Sequence, residues 1–76
     1  MTTKEYARKT YARYETLRDV RGMTDYRVGV EAGIAASTLS DWKNELSTPK
    51  ADKFLLIAKL FNVPLEELLD ISEEVS

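Results

Sequence analysis

Ala36, Ser37, Ser40, Asp41 and Asn44 stand at i, i+1, i+4, i+5 and i+8, the spacing of one stripe along a helix. Their side chains are short, and four of them end in hydroxyl, carboxylate or amide groups. That is the equipment for hydrogen-bond readout of base edges in a major groove. Such a stripe needs an anchored opposite face, and Leu39 and Trp42, three residues apart, supply one. They are assigned to the core together with Ile57 and Phe61. Upstream, Gly29 lets two helices approach closely, and Gly33 can end the first of them at positive φ. The stretch from Thr24 to Trp42 therefore predicts two short helices joined by a glycine turn, the second free on one side to enter a nucleic-acid groove.

Other chemistry is poorly provided for. The 76 residues include no histidine and no cysteine, which removes the usual general base, thiol catalysis, zinc and iron–sulfur ligation. Glu66-Glu67 and Glu73-Glu74 are sequence neighbours whose side chains diverge, so neither pair can flank one scissile bond. No enzyme activity and no cofactor are expected. No apolar run approaches the length of a bilayer, and Met1 to Glu5 lead into polar sequence instead of a signal-peptide core. With the absence of cysteine, this gives the expectation of a cytoplasmic protein.

The net charge of −2 is unevenly spread. Residues 1–27 hold seven basic against four acidic side chains, and residues 28–76 hold four against nine. Such a dipolar chain can turn its acidic end away from a polyanion, although two solvated helix faces would give the same pattern.

Five helices and no strand are predicted, in one domain over 1–76 with its core in about 11–70. Tyr6, Tyr11, Tyr14, Leu17 and Val20 make the inward stripe of a first helix that ends near Gly22, with Arg21 in its last turn; residues 1–10 either extend this helix or fray. The tyrosines are read as packing in preference to base stacking. Thr24 caps a second helix that carries Asp25 in its first turn and stops at Gly33. A third runs from Ala35 or Ala36 to Lys43 or Asn44. After the loop Glu45-Leu46-Ser47, Thr48 as cap and Pro49 at the first helical position predict a fourth, with Phe54, Ile57, Ala58 and Phe61 turned inward. Asn62 ends it in a left-handed residue, and Val63-Pro64 opens a short fifth helix through Leu65, Leu68 and Leu69 to about Asp70. Residues 71–76 are expected to fray.

These features resemble the Cro/C1-type, or Xre, helix-turn-helix regulators of bacteria and phages. The resemblance spans roughly Tyr14 to Asp70. It rests on Leu17-Arg18 before Gly22-Met23-Thr24, on the hairpin, on Ser37 to Lys43, on Ser47-Thr48-Pro49-Lys50, and on the closing Ile57 to Val63 and Leu65 to Leu69. It implies an all-α, lambda repressor-like fold in which helices 2 and 3 form the helix-turn-helix and the third helix lies in the major groove of double-stranded DNA. By the same transfer, Ala36, Ser37, Thr38, Ser40, Asp41 and Asn44 become base-contact candidates, with Asn44 suited to adenine and Ala36 to a thymine methyl. Thr24, Tyr26, Arg27, Lys43, Ser47, Thr48, Lys50 and Lys53 become phosphate-contact candidates.

Four positions depart from the family pattern. Asp25 stands where glutamine is frequent, Ala35 where a serine or threonine caps the third helix, and Glu45 where a turn glycine is common. Lys43 replaces a glutamate that in many members pairs with the arginine at Arg18, which leaves Asp41, Glu45 or solvent for Arg18. Leu56 and Leu60, with Leu69 or Ile71, are an apolar set that could serve a homodimer or simply complete a monomer core. The alternative to sequence-specific DNA binding is a protein-interaction module of the same fold, an antirepressor or assembly partner.

Overall fold

The computed structural model describes residues 2–69. Five helices follow one another: α1 (Thr3–Val20), α2 (Asp25–Ala32), α3 (Ala36–Lys43), α4 (Ala51–Phe61) and α5 (Leu65–Leu68). No strand occurs among the described residues, and no helix of theirs is long and apolar enough to cross a membrane.

α1 is helical from Thr3 because Thr2 and Glu5 form a capping box, with the Glu5 amide donating to Thr2 Oγ1 (3.1 Å) and the Thr2 amide to Glu5 Oε1 (3.0 Å). Its buried face is Ala7, Thr10, Tyr11, Tyr14 and Leu17. Val20, expected on that stripe, is instead 78% exposed. Six residues beyond Tyr14 it has turned about 120° away from it around the helix. Arg21, itself exposed, reaches across this end. Its guanidinium donates to Leu17 O (2.8 Å) and to Phe61 O (2.6 Å), closing the C-terminal ends of α1 and α4 together.

A left-handed residue follows each of the first four helices: Gly22, Gly33, Glu45 and Asn62. After α3, the Glu45 amide donates to Trp42 O and the Leu46 amide to Asp41 O, the paired bonds of a Schellman ending. Glycine and asparagine suit this backbone; Glu45, at φ 64°, does not.

The start of α4 corrects the expected one. Thr48 and Pro49 do not begin the helix; Lys50 is its N-cap, without a side-chain capping bond. Pro49 is buried in the preceding loop, so packing of its ring fixes the loop and the first helical turn begins after it. Asp52 then sits in that first turn, where a negative charge suits the helix dipole. The expected fifth helix through Leu69 to about Asp70 is also shorter, with Leu69 as its C-cap; Asp70 and the tail 71–76 lie outside the described residues.

Trp42 is fully buried and joins α3 to α1 and α4. Its ring lies 5.3 Å from Tyr11 and 5.4 Å from Phe54, both edge-on, and 4.8 Å from Tyr14. Contacts of this geometry contribute about 0.5–1.5 kcal/mol each beyond area burial. The indole Nε1 donates to Thr10 Oγ1 (3.0 Å), and that hydroxyl donates to Tyr6 O (2.7 Å), so a buried polar pair is satisfied within the core.

The leucines proposed for a dimer face are separated by burial. Leu60 and Leu69 pack partly buried against the core, Leu56 is 36% exposed, and Ile71 is outside the described residues. The arrangement does not support a shared apolar patch for a homodimer.

Candidate nucleic-acid interface

The helix pair α2 and α3 is built as its sequence demands. Thr24 accepts the Arg27 amide (3.1 Å) and so caps α2, while Gly33 closes it at φ 74°. Gly29 is buried, and a Cβ there would stand 3.0 Å from Ile34 O and 3.5 Å from Leu39 Cδ1. The turn therefore folds directly onto α2. α3 then starts at Ala36 without a side-chain cap on Ala35, held from inside by Leu39 and Trp42.

This anchoring turns the opposite face of α3 to solvent. Ala36, Ser37, Ser40 and Asn44 are exposed, and Thr38 and Asp41 are half-buried. Asn44 Nδ2 lies 3.5 Å from Ser40 Oγ, too long to tie either group down. Among the phosphate candidates, Thr24, Tyr26 and Arg27 are exposed at the start of α2; Tyr26 is 79% exposed. Arg27 forms an ion pair with Glu31 one turn away on the surface. Lys43, Ser47 and Lys50 are exposed around the end of α3 and the following loop, and Thr48 and Lys53 are half-buried. Between α2 and α3 runs a cleft of about 380 Å³, with Tyr26 and Val30 on one wall, Ala36, Ser40 and Lys43 on the other, and Gly29 and Leu39 in its floor.

Asp25 has a role that sequence reasoning did not find. Both oxygens of its carboxylate are occupied by α1: Tyr11 Oη donates to Oδ2, and Tyr14 Oη and Arg18 Nη1 donate to Oδ1, each at 2.7 Å. Arg18 therefore pairs with Asp25, and also with Asp19 (2.7 Å) and Glu15 (3.5 Å), instead of the expected Asp41 or Glu45. Tyr11, Tyr14 and Arg18 lie at i, i+3 and i+7 on one face of α1, directly over the start of α2; that spacing was the available signal.

The electrostatic consequences follow from those contacts. Partial burial works to raise the Asp25 carboxyl, but the bonds from Tyr14, Tyr11 and Arg18 prevail and hold it below its ordinary value. Burial and the adjacent carboxylate push the Tyr11 hydroxyl up to about 12 and raise Tyr14 further. For Arg18, burial acts against the charge, yet the bonds to Asp19 and Asp25 outweigh it and the guanidinium stays firmly ionised. Asp25 is thus a carboxylate satisfied from within the protein, its charge partly offset by Arg18. Among the described residues no cluster of acidic side chains is placed to hold a metal ion.

Comparison with known proteins agrees with this architecture. The family model described as helix-turn-helix matches residues 15–68, from the middle of α1 to the end of α5. Neither the curated proteins nor the solved structures yielded a match.

Proposed function

The chain belongs to the Cro/C1-type helix-turn-helix family of DNA-binding transcription regulators, and from that premise we propose that it reads a specific double-stranded sequence with α3 in the major groove. The observation behind this reading is the division of α3 into two faces. Leu39 and Trp42 are buried while Ala36, Ser37, Ser40 and Asn44 are exposed with no strong internal partner. Side chains freed from folding in this way are available to base edges.

Phosphate contacts are assigned around that helix. Thr24, Tyr26 and Arg27 hold one strand from the start of α2, and Lys43, Ser47, Thr48, Lys50 and Lys53 hold it from the loop beyond α3. An exposed i,i+4 pair such as Arg27 with Glu31 is worth little, so a phosphate can take its place. At the start of α2 the Asp25 carboxylate is turned onto α1, where Arg18 pairs with it, and does not stand alone beside a phosphate.

A titration across salt concentration tests the proposal. With about four to six phosphates engaged, log affinity should fall against log salt with a slope of about −3 to −6. A flat response would overturn it. Selection of bound duplexes from a random pool should return a defined site, and Ser40→Ala and Asn44→Ala should alter that site without unfolding the domain. The competing reading, a protein-interaction module with the same fold, draws on the net charge of −2. It would prevail if purified protein ignored random-sequence duplex even at low salt.

A further inference from the structure

We propose that Asp25 is a positioning residue for nucleic-acid binding: its carboxylate, gripped by Tyr11, Tyr14 and Arg18, fixes the start of α2 where Thr24, Tyr26 and Arg27 can meet a phosphate. The inference rests on the DNA-binding reading above and adds to it the device that sets one of its two phosphate grips.

α2 has eight residues, and a helix this short does not hold its own geometry in water. Its middle is fixed by Val28 and Gly29 and its end by the turn into Ile34, all three residues buried. Ahead of Val28, residues 24–27 place no buried apolar side chain. Thr24, Tyr26 and Arg27 are exposed, and Val20 to Met23, which lead into it, are exposed or half-buried. Between these, Asp25 is the side chain tied to α1, by three bonds of 2.7 Å from donors on successive turns of that helix.

The donors sit on successive turns of α1 and engage both oxygens, which restricts translation of the start of α2 along α1 as well as its rotation. The same occupancy keeps the carboxylate from reaching outward, and Arg18 offsets part of its charge beside the helix N-terminus. Tyr14 is fully buried and Tyr11 is 8% exposed, so neither ring can touch a duplex. Any effect of their hydroxyls on DNA binding must be indirect, through the groups they bond, Asp25 and, for Tyr11, Arg18.

That separation supplies the test. Tyr11→Phe/Tyr14→Phe retains both rings and removes two of the three donors without altering the surface. The selected duplex is titrated with the wild type, this double variant and Tyr26→Ala at several salt concentrations, and amide exchange is measured across α2 and α4. The double variant should bind about five- to tenfold more weakly, with a salt slope shallower by up to about one, the share of Arg27. Its site preference should be unchanged, and exchange should quicken about tenfold in the first turn of α2 but not in α4. Tyr26→Ala should lose affinity with little change of slope, since it removes no charge, and without faster exchange. If the double variant does not fold, Tyr11→Phe alone is used, with the same direction of change expected. A folded variant with wild-type affinity, slope and α2 exchange would overturn the positioning role while leaving the DNA-binding reading intact. A wild-type protein that binds no duplex would remove both.

Discussion

The hydroxyl of Tyr14, on a ring with no solvent exposure, donates to Asp25 Oδ1 at 2.7 Å and joins the core of the domain to the first turn of α2. The bond makes stability depend on pH at both extremes. Asp25 titrates lower in the folded chain than its ordinary value near 3.8, so its contribution is present above that value and is lost as pH falls through the folded one. Tyr11 and Tyr14 titrate higher when folded; their contribution is complete below about pH 10 and declines as pH rises toward 12 and beyond. Urea unfolding from pH 2 to 12 should show both losses, and Asp25→Ala should flatten the acid limb while lowering stability near pH 7 by about 2 kcal/mol.

Thr10 and Trp42 form the other buried polar link. Thr10→Val preserves the shape of the side chain but leaves the indole N–H without its acceptor, at a cost of about 1–3 kcal/mol. Thr10→Ser keeps the acceptor and should cost less. Chemical denaturation of the two variants checks the order.

Glu45 occupies a left-handed backbone that L side chains adopt at a cost of roughly 1–2 kcal/mol. Glu45→Asn, a residue that tolerates this region, should raise the thermal midpoint by a few degrees, corresponding to about 0.5–1 kcal/mol. Gly33→Ala should do the opposite. Its Cβ would meet nothing within 4 Å, so the loss would report φ 74° alone.

Asp41 is the acidic member of the α3 stripe, and a carboxylate there can accept from the amino group of cytosine but not donate. Asp41→Asn should shift preference at one position of the selected site toward adenine by about ten- to a hundredfold, with little change elsewhere. Competitive binding of duplexes differing at single positions measures this.

Local signals foretold much of this molecule. Thr24, Gly33 and Asn62 marked helix ends correctly because each acts through its own backbone, and Leu39 with Trp42 fixed the orientation of α3 by spacing alone. Thr2 and Glu5 carried an equally local capping signal that settles the start of α1, which had been open between extension and fraying. Pro49 misled because its preference for a first helical turn yields to burial of its ring in the loop. Asp25 had a sufficient local explanation in the dipole of α2, and that concealed the three donors arriving from another helix. Long-range convergence of this kind leaves a mark in the sequence only at Tyr11, Tyr14 and Arg18, whose shared face has meaning once the angle between α1 and α2 is known.

The uncapped start at Ala35 has a consequence for how this domain can diversify. α3 takes its helical shape from the floor beneath Leu39 and Trp42 and little from the outward side chains, which neither cap it nor brace it. Ala36, Ser37 and Ser40 therefore stand outside the packing that shapes the helix. Under the proposed reading, exchanging these letters resets the target sequence at little cost to the printing frame that carries them.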